Sequence, residues 1–519
     1  MPNTQIQIGT FSPRSKRFAL VFGPLLALAL YFVLPSSYID PAGQEVAFTT
    51  AGRATLSVVL WMALWWFSEA VPIAVTALLP IVLFPLLGIA SPAKTTAPYA
   101  SDIIFLFLGG FLIAAGIQKW GLDRRIAMRT LSIVGTQASH VVGGLMLATA
   151  FVSMWVSNTA TAAMMVPIAI AVMGVVRSAR GGEPDVCERN FGVSVLLAVA
   201  YGASIGGMAT IIGSPPNGIF VRFVEQTYGD HVSVVDWMRV GLPVTLIMLP
   251  LTWLLLTKVL FRNSIGEVAG GRDWVRGELE AMGSLTRGER VVLTVFTMTV
   301  LLWIFGPLLR GMEIGGAKPL ARLSDSVIAM IGGIALFTIP VKPEFGIRAL
   351  DWDASKNIPW DVLLLFGGGL SMAAAIQANG AAGLIGAQAA ALSDLPTLGV
   401  VLGVATLVVF ATEFTSNTAL AATMLPLLAA AAPALGVPPE TLLLVTALGA
   451  SAAFMMPVAT PPNAIIFGTG MITIGQMVRA GFLLNIVAII VVTLIATWLG
   501  GDLITAIQQD ASVAAAAKG

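Results

Sequence analysis

Two copies of the tetrapeptide Ser-Asn-Thr-Ala lie inside apolar stretches of the chain, at 157–160 and 416–419. Three adjacent hydrogen-bonding side chains are costly in hydrocarbon, so we expect the helix to be interrupted at each copy. Ser, Thr and Asn are favoured N-cap residues, and a helix that begins there directs free N–H groups and its positive dipole end at the gap. Two such helix ends facing each other would suit an anion with two separated negative groups, such as a dicarboxylate.

A Pro-Pro-Asn tripeptide follows each copy, at 215–217 and 461–463. Proline interrupts helical hydrogen bonding, so the carbonyls of Gly213 and Ala459, just before the two turns, are expected to be accessible. Hard cations prefer carbonyl, hydroxyl and amide oxygens. Neither motif set contains Lys or Arg, and a helix end supplies only about half a charge. Bound cations are therefore expected to balance the anion, which predicts cation-coupled anion uptake.

Two hydroxyl side chains precede the Ser-Asn-Thr-Ala copies by one helical turn. Ser153 lies four residues before Ser157, and Thr412 lies four residues before Ser416. Residues at this spacing share one face of a helix, so each hydroxyl is expected on the same face as its motif.

Two acidic residues near the spans are further candidates, because an intramembrane carboxylate is functional by default. Glu413 precedes Ser416 by three residues, so it could orient the motif or tune cation affinity; a structural hydrogen-bonding role is the alternative. The second is Glu69.

The composition indicates which elements must position these residues. Of 519 residues, 57% are hydrophobic and only 11% are charged, whereas a soluble domain carries about a quarter charged residues. This predicts an all-α polytopic membrane protein, with apolar content for roughly a dozen spans. The net charge of +1 argues against nucleic-acid binding. The single Cys187 excludes a disulfide framework and a multi-cysteine metal site.

The charges around the first apolar run predict its orientation. Arg14, Lys16 and Arg17 precede this run, and Asp40 and Glu45 follow it. The positive-inside rule therefore predicts a cytoplasmic N-terminus in a multi-pass plasma-membrane protein. A cleaved signal peptide is the alternative, but the run is long and lacks a small-residue cleavage site.

The motifs belong to an internal repeat. The displacement that relates the two Ser-Asn-Thr-Ala copies also relates Gly109-Gly110 to Gly368-Gly369. The short apolar stretches around these glycines, near 103–118 and 361–378, are expected to form re-entrant hairpins or broken helices. Close packing of small residues would explain one isolated motif. Duplication in register instead favours a transporter whose site lies where the repeats meet.

The chain is expected to divide at a polar stretch near its middle. The predicted segments are an N-terminal segment with the first transmembrane helix (1–52), a first repeat (53–261), a polar connector (262–289), a second repeat (290–505) and a tail (506–519).

With these motifs the sequence resembles the divalent anion:sodium symporter family, the INDY-type di- and tricarboxylate and sulfate transporters. Besides the Ser-Asn-Thr-Ala copies, the resemblance rests on 66–73, 213–217, 412–418 and 459–463, and it covers most of the chain from about residue 50. It implies about eleven spans plus two re-entrant helical hairpins in an inverted repeat. It also implies a homodimer in which a transport domain moves like an elevator against a scaffold domain.

The resemblance also implies roles for individual residues. The implied substrate-binding residues are Ser157, Asn158, Thr159, Ser214, Ser416, Asn417, Thr418, Thr460 and Pro461. The implied sodium ligands are Ser153, Ser157, Asn158 and Gly213 at one site, and Thr412, Thr415, Asn417 and Ala459 at the other.

The resulting hypothesis is sodium-coupled uptake of C4 dicarboxylates such as succinate, malate and fumarate, without enzymatic activity. Within the family, a sodium-independent dicarboxylate exchanger or a sulfate or tricarboxylate transporter is the alternative. A membrane-embedded hydrolase that uses Ser204 is a rival, since 202–206 matches G-x-S-x-G by letters but lacks the strand–turn–helix context. A channel would need filter rings that the sequence does not contain.

Overall fold

The structure, a computed structural model, describes residues 13–40, 43–180, 185–229, 231–262, 265–268, 270–313, 317–356, 358–390 and 395–516, with side chains from 15 to 500. The first part contains α1 (Pro13–Val33), α2 (Thr50–Ser68), α3 (Ile73–Thr76), α4 (Leu79–Leu86), α5 (Pro92–Thr96), α6 (Asp102–Lys119), α7 (Leu122–Val134), α8 (Ala138–Ser153), α9 (Asn158–Arg180), α10 (Val186–Gly207), α11 (Pro215–Tyr228) and α12 (Val234–Leu254).

The second part continues the helical architecture. Its helices are α13 (Gly271–Met282), α14 (Arg287–Gly311), α15 (Asp325–Thr338), α16 (Trp352–Ser355), α17 (Trp360–Ala378), α18 (Ala381–Ala389), α19 (Thr397–Thr412), α20 (Asn417–Ala431), α21 (Pro439–Ala450), α22 (Pro461–Gly468) and α23 (Ile474–Ala516). Two short antiparallel hairpins pair β1 (Ser37–Ile39) with β2 (Glu45–Ala47) and β3 (Pro340–Lys342) with β4 (Ile347–Arg348). The predicted all-α membrane fold is confirmed.

Eight helices in the described part of the chain are long and apolar enough to cross a membrane. They are Ser15–Val33, Pro92–Lys119, Asn158–Arg180, Val186–Gly207, Val234–Leu260, Arg287–Gly311, Trp360–Ala378 and Ile474–Gly500. Six shorter apolar helices accompany them, among them α8, α19 and α20 on either side of the Ser-Asn-Thr-Ala motifs.

The first Ser-Asn-Thr-Ala motif lies at a break between α8 and α9. The contacts that these two helices make with α10 give their relative directions. Along α10, Gly202 lies against Met146 and Gly206 lies against Ala150. The contacts advance in the same direction on both helices, so α8 and α10 are parallel.

Helix α9 runs in the direction opposite to α10. Gly192, near the start of α10, lies against Met173, and Gly207, at its end, lies against Asn158. Helix α9 is therefore antiparallel to α10 and also to α8. The chain turns back on itself at 154–157, so α8 and α9 form a hairpin with the motif at its tip.

The glycine-rich stretches form continuous helices, contrary to the expectation of breaks near 103–118 and 361–378. Helix α6 runs unbroken over the first stretch and α17 over the second. Their glycines allow close packing instead: Gly109 lies against the backbone of Ala329 in α15, and Gly368 lies against the backbone of Ala77 after α3. The breaks lie instead at the Ser-Asn-Thr-Ala motifs and before the two Pro-Pro-Asn motifs.

The two halves of the chain are interleaved. Helix α11, which begins at the first Pro-Pro-Asn, packs against α20 and α21 of the second half. Helix α22, which begins at the second Pro-Pro-Asn, packs against α9 and α10 of the first half. A hydrogen bond of 2.9 Å between the Ser214 and Ser451 hydroxyls links the halves. Each Ser-Asn-Thr-Ala helix therefore borders the Pro-Pro-Asn helix of the opposite half.

The helices form two bundles. One contains α8 to α12 and α19 to α23, which pack extensively against one another; the other contains α1 to α6 and α14 to α17. Helices α7, α13 and α18 lie at the boundary, with α7 packed against α8 and α18 against α20. Both Ser-Asn-Thr-Ala motifs lie in the first bundle.

Two of the predicted segments contain helical structure. The connector, 262–289, contains the amphipathic helix α13, which packs against α7 and α9. Helix α23 continues into the predicted tail as far as Ala516.

A buried ion pair fastens the connector to the boundary helix α7. The Arg125 guanidinium lies 2.6 Å from Glu289 and also donates to the carbonyls of Met282 and Gly283. Both charged side chains are at least nine-tenths buried. Such a pair is costly to break, because the remaining charge stays buried without a partner.

We expect Arg125→Met to destabilise the protein by about 3–5 kcal/mol, through the unpaired Glu289 carboxylate. The apparent melting temperature in detergent measures this loss. Arg276→Met is the control, since it removes an exposed 3.4 Å pair with Glu280 and should leave the melting temperature nearly unchanged. Equal melting temperatures for the two variants would contradict the assigned role of the buried pair.

Candidate functional site

Four oxygen atoms meet at the tip of the first hairpin. The Ser153 hydroxyl, at the end of α8, lies 2.6 Å from the side-chain oxygen of Asn158 and 2.8 Å from the carbonyl oxygen of Ala203. The Asn158 side chain also reaches within 3.2 Å of the Gly213 carbonyl. Helices α8, α9 and α10 and the loop before α11 each contribute one atom to this first pocket.

The orientation of the Asn158 amide determines what the first pocket can hold. With its oxygen directed inward, the amide faces the Ala203 carbonyl at 3.0 Å as well as the Ser153 hydroxyl and the Gly213 carbonyl. An oxygen facing two carbonyls is favourable only with a cation between them. With the amide rotated by 180°, its N–H groups donate to the same three oxygens. In the first orientation of the Asn158 amide, the pocket suits a hard cation. In the second, hydrogen bonds within the pocket satisfy its polar atoms.

Two glycines leave the space that the Asn158 side chain fills. A Cβ on Gly207 would lie 2.5 Å from the Asn158 side-chain oxygen and 2.9 Å from the Gly213 carbonyl. A Cβ on Gly213 would lie 3.0 Å from the Ser153 carbonyl. Side chains at these positions would displace the oxygen atoms of the pocket.

The second hairpin repeats this arrangement. The Thr412 hydroxyl, at the end of α19, lies 2.7 Å from the Asn417 side-chain oxygen and 2.8 Å from the Ala450 carbonyl of α21. Ser153 and Thr412 are fully buried. The structure thus brings Ser153 and Asn158, and likewise Thr412 and Asn417, together in two pockets of the same design. Each hydroxyl lies on the helix before the break and its motif begins the helix after it, so the two do not share one helix face.

The serines of the two motifs cap the helices that begin there. Ser157 accepts a hydrogen bond from the Ala160 N–H at 3.4 Å, and Ser416 accepts one from the Ala419 N–H at 3.5 Å. The first N–H groups of α9 and α20 have no partner within their own helices. A positive dipole end therefore lies beside each oxygen pocket.

A cavity of about 360 Å³ opens beside the first motif, where the two bundles meet. Ser157 and Ala160 of α9 and Gln118 and Lys119 of α6 contribute to its lining. The Lys119 ammonium lies 2.5 Å from Asp351 and lowers the pKa of that carboxyl. The one basic side chain in this lining is thus already paired with an acidic residue.

The other predicted residues occupy different settings. Ser214 is buried against Ser451, and Thr460 caps α22 by accepting from the Asn463 N–H at 3.4 Å. The Thr415 hydroxyl donates to the Ala411 carbonyl at 3.0 Å, away from the Thr412–Asn417 contact. The motif threonines differ in exposure, since Thr159 is exposed and Thr418 is buried. Pro461 is exposed in the first turn of α22, and Ala459 is buried just before that helix.

The asparagines of the two Pro-Pro-Asn motifs hold the preceding loops. The Asn217 amide donates to the carbonyls of Gly207 and Thr210 at 3.0 and 2.8 Å. The Asn463 amide donates at 3.3 and 3.0 Å to the corresponding carbonyls of the second half, those of Ala453 and Met456. These two side chains therefore hold the loops in shape. In the sequence, the only sign of this role is that both Pro-Pro motifs are followed by Asn.

Glu413 is a buried residue whose role the sequence left open between a functional and a structural one. Its carboxylate accepts hydrogen bonds from the N–H groups of Phe454, Met455 and Met456 and from the Asn485 amide. Glu69, by contrast, caps α2 in a left-handed conformation (φ 46°) and pairs with Lys16 at 3.4 Å.

Ser204 lacks the setting of a nucleophile. It lies within helix α10 and is 1% exposed, so the strand–turn–helix context of a G-x-S-x-G elbow is absent at this position.

Known proteins are similar to this sequence over most of its length. The family model described as the sodium:sulfate symporter transmembrane region matches residues 23–505. A sodium-dependent dicarboxylate transporter SdcS from Staphylococcus saprophyticus is 38% identical over 484 residues, covering 92% of this chain and 90% of its own. An SdcS from Staphylococcus aureus strain bovine RF122 is also 38% identical, over 498 residues that cover 94% of this chain and 93% of its own.

The fold is also similar to a solved structure. The YdaH transporter of Alcanivorax borkumensis superimposes with a TM-score of 0.57, covering 94% of this chain and 98% of that chain. At 15% identity this likeness concerns the fold alone. On the family match and the identity to the curated transporters, the chain belongs to the sodium:sulfate symporter family, also called the divalent anion:sodium symporters.

Proposed function

We propose that this protein is a secondary active transporter that takes up C4 dicarboxylates, such as succinate, malate and fumarate, together with sodium. The observation that carries the proposal is the pair of oxygen-lined pockets, each beside the N-terminus of a Ser-Asn-Thr-Ala helix. The curated relatives named sodium-dependent dicarboxylate transporters support the choice of ion and substrate.

Sodium is transported cargo in this proposal. The first pocket would hold it through Ser153, Ser157, Asn158 and Gly213, with the Ala203 carbonyl as a further oxygen. The second would use Thr412, Thr415, Asn417 and Ala459, with the Ala450 carbonyl. The contacts of the described side chains favour Thr412 and Asn417 as the core of this second set, since the Thr415 hydroxyl points to α19.

The dicarboxylate would lie between the two helix ends. Ser157, Asn158 and Thr159 would contact one carboxylate and Ser416, Asn417 and Thr418 the other, with Ser214, Thr460 and Pro461 nearby. The packing of α11 against α20 and of α22 against α9 supports a shared site, because it joins each motif to the opposite half. Cations in the pockets would add the positive charge that the helix ends only partly supply.

Transport would proceed by an elevator motion of the bundle that contains both motifs against the other bundle. The placement of both pockets within one bundle supports this, since substrate and ions would then move with a single body. A homodimer is proposed on the family resemblance. A cytoplasmic N-terminus is supported by Arg14, Lys16 and Arg17 at the start of α1, with Asp40 and Glu45 beyond its other end.

Purified protein in liposomes tests the transport reaction directly. We expect uptake of labelled succinate under an inward sodium gradient and only background uptake when potassium replaces sodium. Sulfate and citrate as competitors separate the dicarboxylate assignment from the sulfate and tricarboxylate alternatives. Uptake that does not depend on sodium but requires dicarboxylate inside the liposomes would indicate an exchanger and contradict symport.

The motif asparagines should be indispensable. Asn158→Ala and Asn417→Ala each remove an amide from a pocket, and loss of a contact to a charged group, worth about 1.5–3 kcal/mol, should lower sodium-driven uptake by about tenfold or more. Asn190→Ala is the matched control, because that half-buried side chain lies outside both pockets and donates to the Arg262 carbonyl. Wild-type uptake in either pocket variant would contradict the assigned site.

The Asn158 pocket should also fail when its space is filled. Gly207→Ala places a methyl group 2.5 Å from the Asn158 side chain, so we expect a higher sodium concentration for half-maximal uptake. Gly174→Ala, also within a membrane helix but with no atom within 4 Å of the added Cβ, serves as control. Identical sodium dependence in the two variants would argue against a cation at this pocket.

A further inference from the structure

Glu413 places a full negative charge inside the bundle, directly after the pocket residue Thr412. The side chain is 0% exposed. One carboxylate oxygen accepts from the Phe454 N–H at 2.7 Å, the Met455 N–H at 2.9 Å and the Asn485 amide at 2.7 Å. The other accepts from the N–H groups of Met455 at 3.1 Å and Met456 at 2.9 Å.

The hydrogen bonds around Glu413 are those that an ionised carboxylate accepts. Every hydrogen-bond partner of its two oxygens is an N–H donor, and three of these donors are backbone groups whose direction is fixed. Among the described residues no Lys, Arg or His forms an ion pair with Glu413. Its charge is stabilised by dipoles but is not neutralised by a basic side chain.

Glu413 fixes the loop that leads to the second Pro-Pro-Asn. Its carboxylate accepts hydrogen bonds from the N–H groups of 454–456. The Asn463 amide donates hydrogen bonds to the carbonyls of Ala453 and Met456 in the same loop. This loop continues directly into Ala459, a proposed sodium ligand. Glu413 therefore both carries the buried negative charge and holds the loop that precedes the second Pro-Pro-Asn.

The first half of the chain has no such charge. The residue after Ser153 is Met154, and its carbonyl accepts from the Thr210 hydroxyl, which in turn accepts from the Gly213 N–H at 3.1 Å. The first loop is thus held by neutral groups alone. Two pockets of the same design therefore differ by one buried negative charge.

We propose that Glu413 is a positioning residue that makes the Thr412–Asn417 pocket the high-affinity sodium site, filled before the Ser153–Asn158 pocket. A buried negative charge attracts a cation in the neighbouring pocket and strengthens its binding in a medium of low dielectric constant. This inference rests on the proposed function, and it adds an order of ion binding and a cause for that order.

Sodium titration of thermal stability tests the inference on the full-length protein in detergent, with choline chloride keeping the ionic strength constant. A ligand that binds the native state raises the apparent melting temperature by mass action. We expect Glu413→Gln to raise the sodium concentration for half of this shift by about tenfold or more, through loss of the charge. Glu413→Asp keeps the charge and should restore much of the wild-type affinity.

A purely structural role predicts a different pattern. The melting temperature of Glu413→Gln without sodium would fall, while the sodium concentration for half of the shift would stay at the wild-type value; that result overturns the inference. A wild type that shows no sodium-specific shift contradicts the proposed function itself. A wild-type shift that Glu413→Gln retains contradicts only the role of Glu413.

A second pair of variants tests the order of binding even if Glu413→Gln fails to fold. Thr412→Ala should abolish the high-affinity part of the sodium titration, whereas Ser153→Ala should retain it and lose the low-affinity part. The reverse pattern, or equal effects of the two substitutions, would overturn the proposed order.

Discussion

A polar group that finds no partner inside a membrane costs several kcal/mol, and this cost shapes the whole molecule. Each hairpin tip breaks a helix and exposes a hydroxyl and an amide to the interior. Each hydroxyl donates to a carbonyl of another helix, Ser153 to that of Ala203 and Thr412 to that of Ala450. These carbonyls lie near the ends of α10 and α21, and that of Ala450 belongs to the last residue of its helix. The same oxygens that seal each break therefore line the two oxygen pockets.

The interleaving of the halves makes the two pockets parts of one body. Tyr201 of α10 donates to the Phe454 carbonyl at 3.0 Å, and the Phe454 N–H donates to Glu413. Ala203, the acceptor of the first pocket, lies two residues from Tyr201 in the same helix. The loop organised by Glu413 thus contacts the helix that completes the opposite pocket. A rigid connection of this kind suits a transporter that must carry ions and substrate together.

The sequence predicted the helix breaks because duplicated polar tetrapeptides in apolar stretches have few other solutions. Ser153 and Thr412 could be placed near the motifs because only a few residues separate them, although the break puts each hydroxyl and its motif on different helices. The glycine stretches were placed wrongly, since glycine serves both breaks and close packing, and only the neighbours Ala329 and Ala77 reveal which applies. The bonds from Asn217 and Asn463 depend on loop shape. The donors around Glu413 come from positions up to 72 residues away, so no local pattern encodes them.

The absence of Lys and Arg from both motif sets explains why such a site would be coupled. An arginine between the helix ends would bind a dianion strongly with or without sodium, because its charge is always present. Lys119, which lines the cavity beside Ser157, is paired with Asp351 and so leaves the cavity without a free basic charge from that residue. Positive charge supplied by mobile ions instead enters and departs with the substrate. Binding of the anion then depends on sodium, and the gradient of one solute can drive the movement of the other.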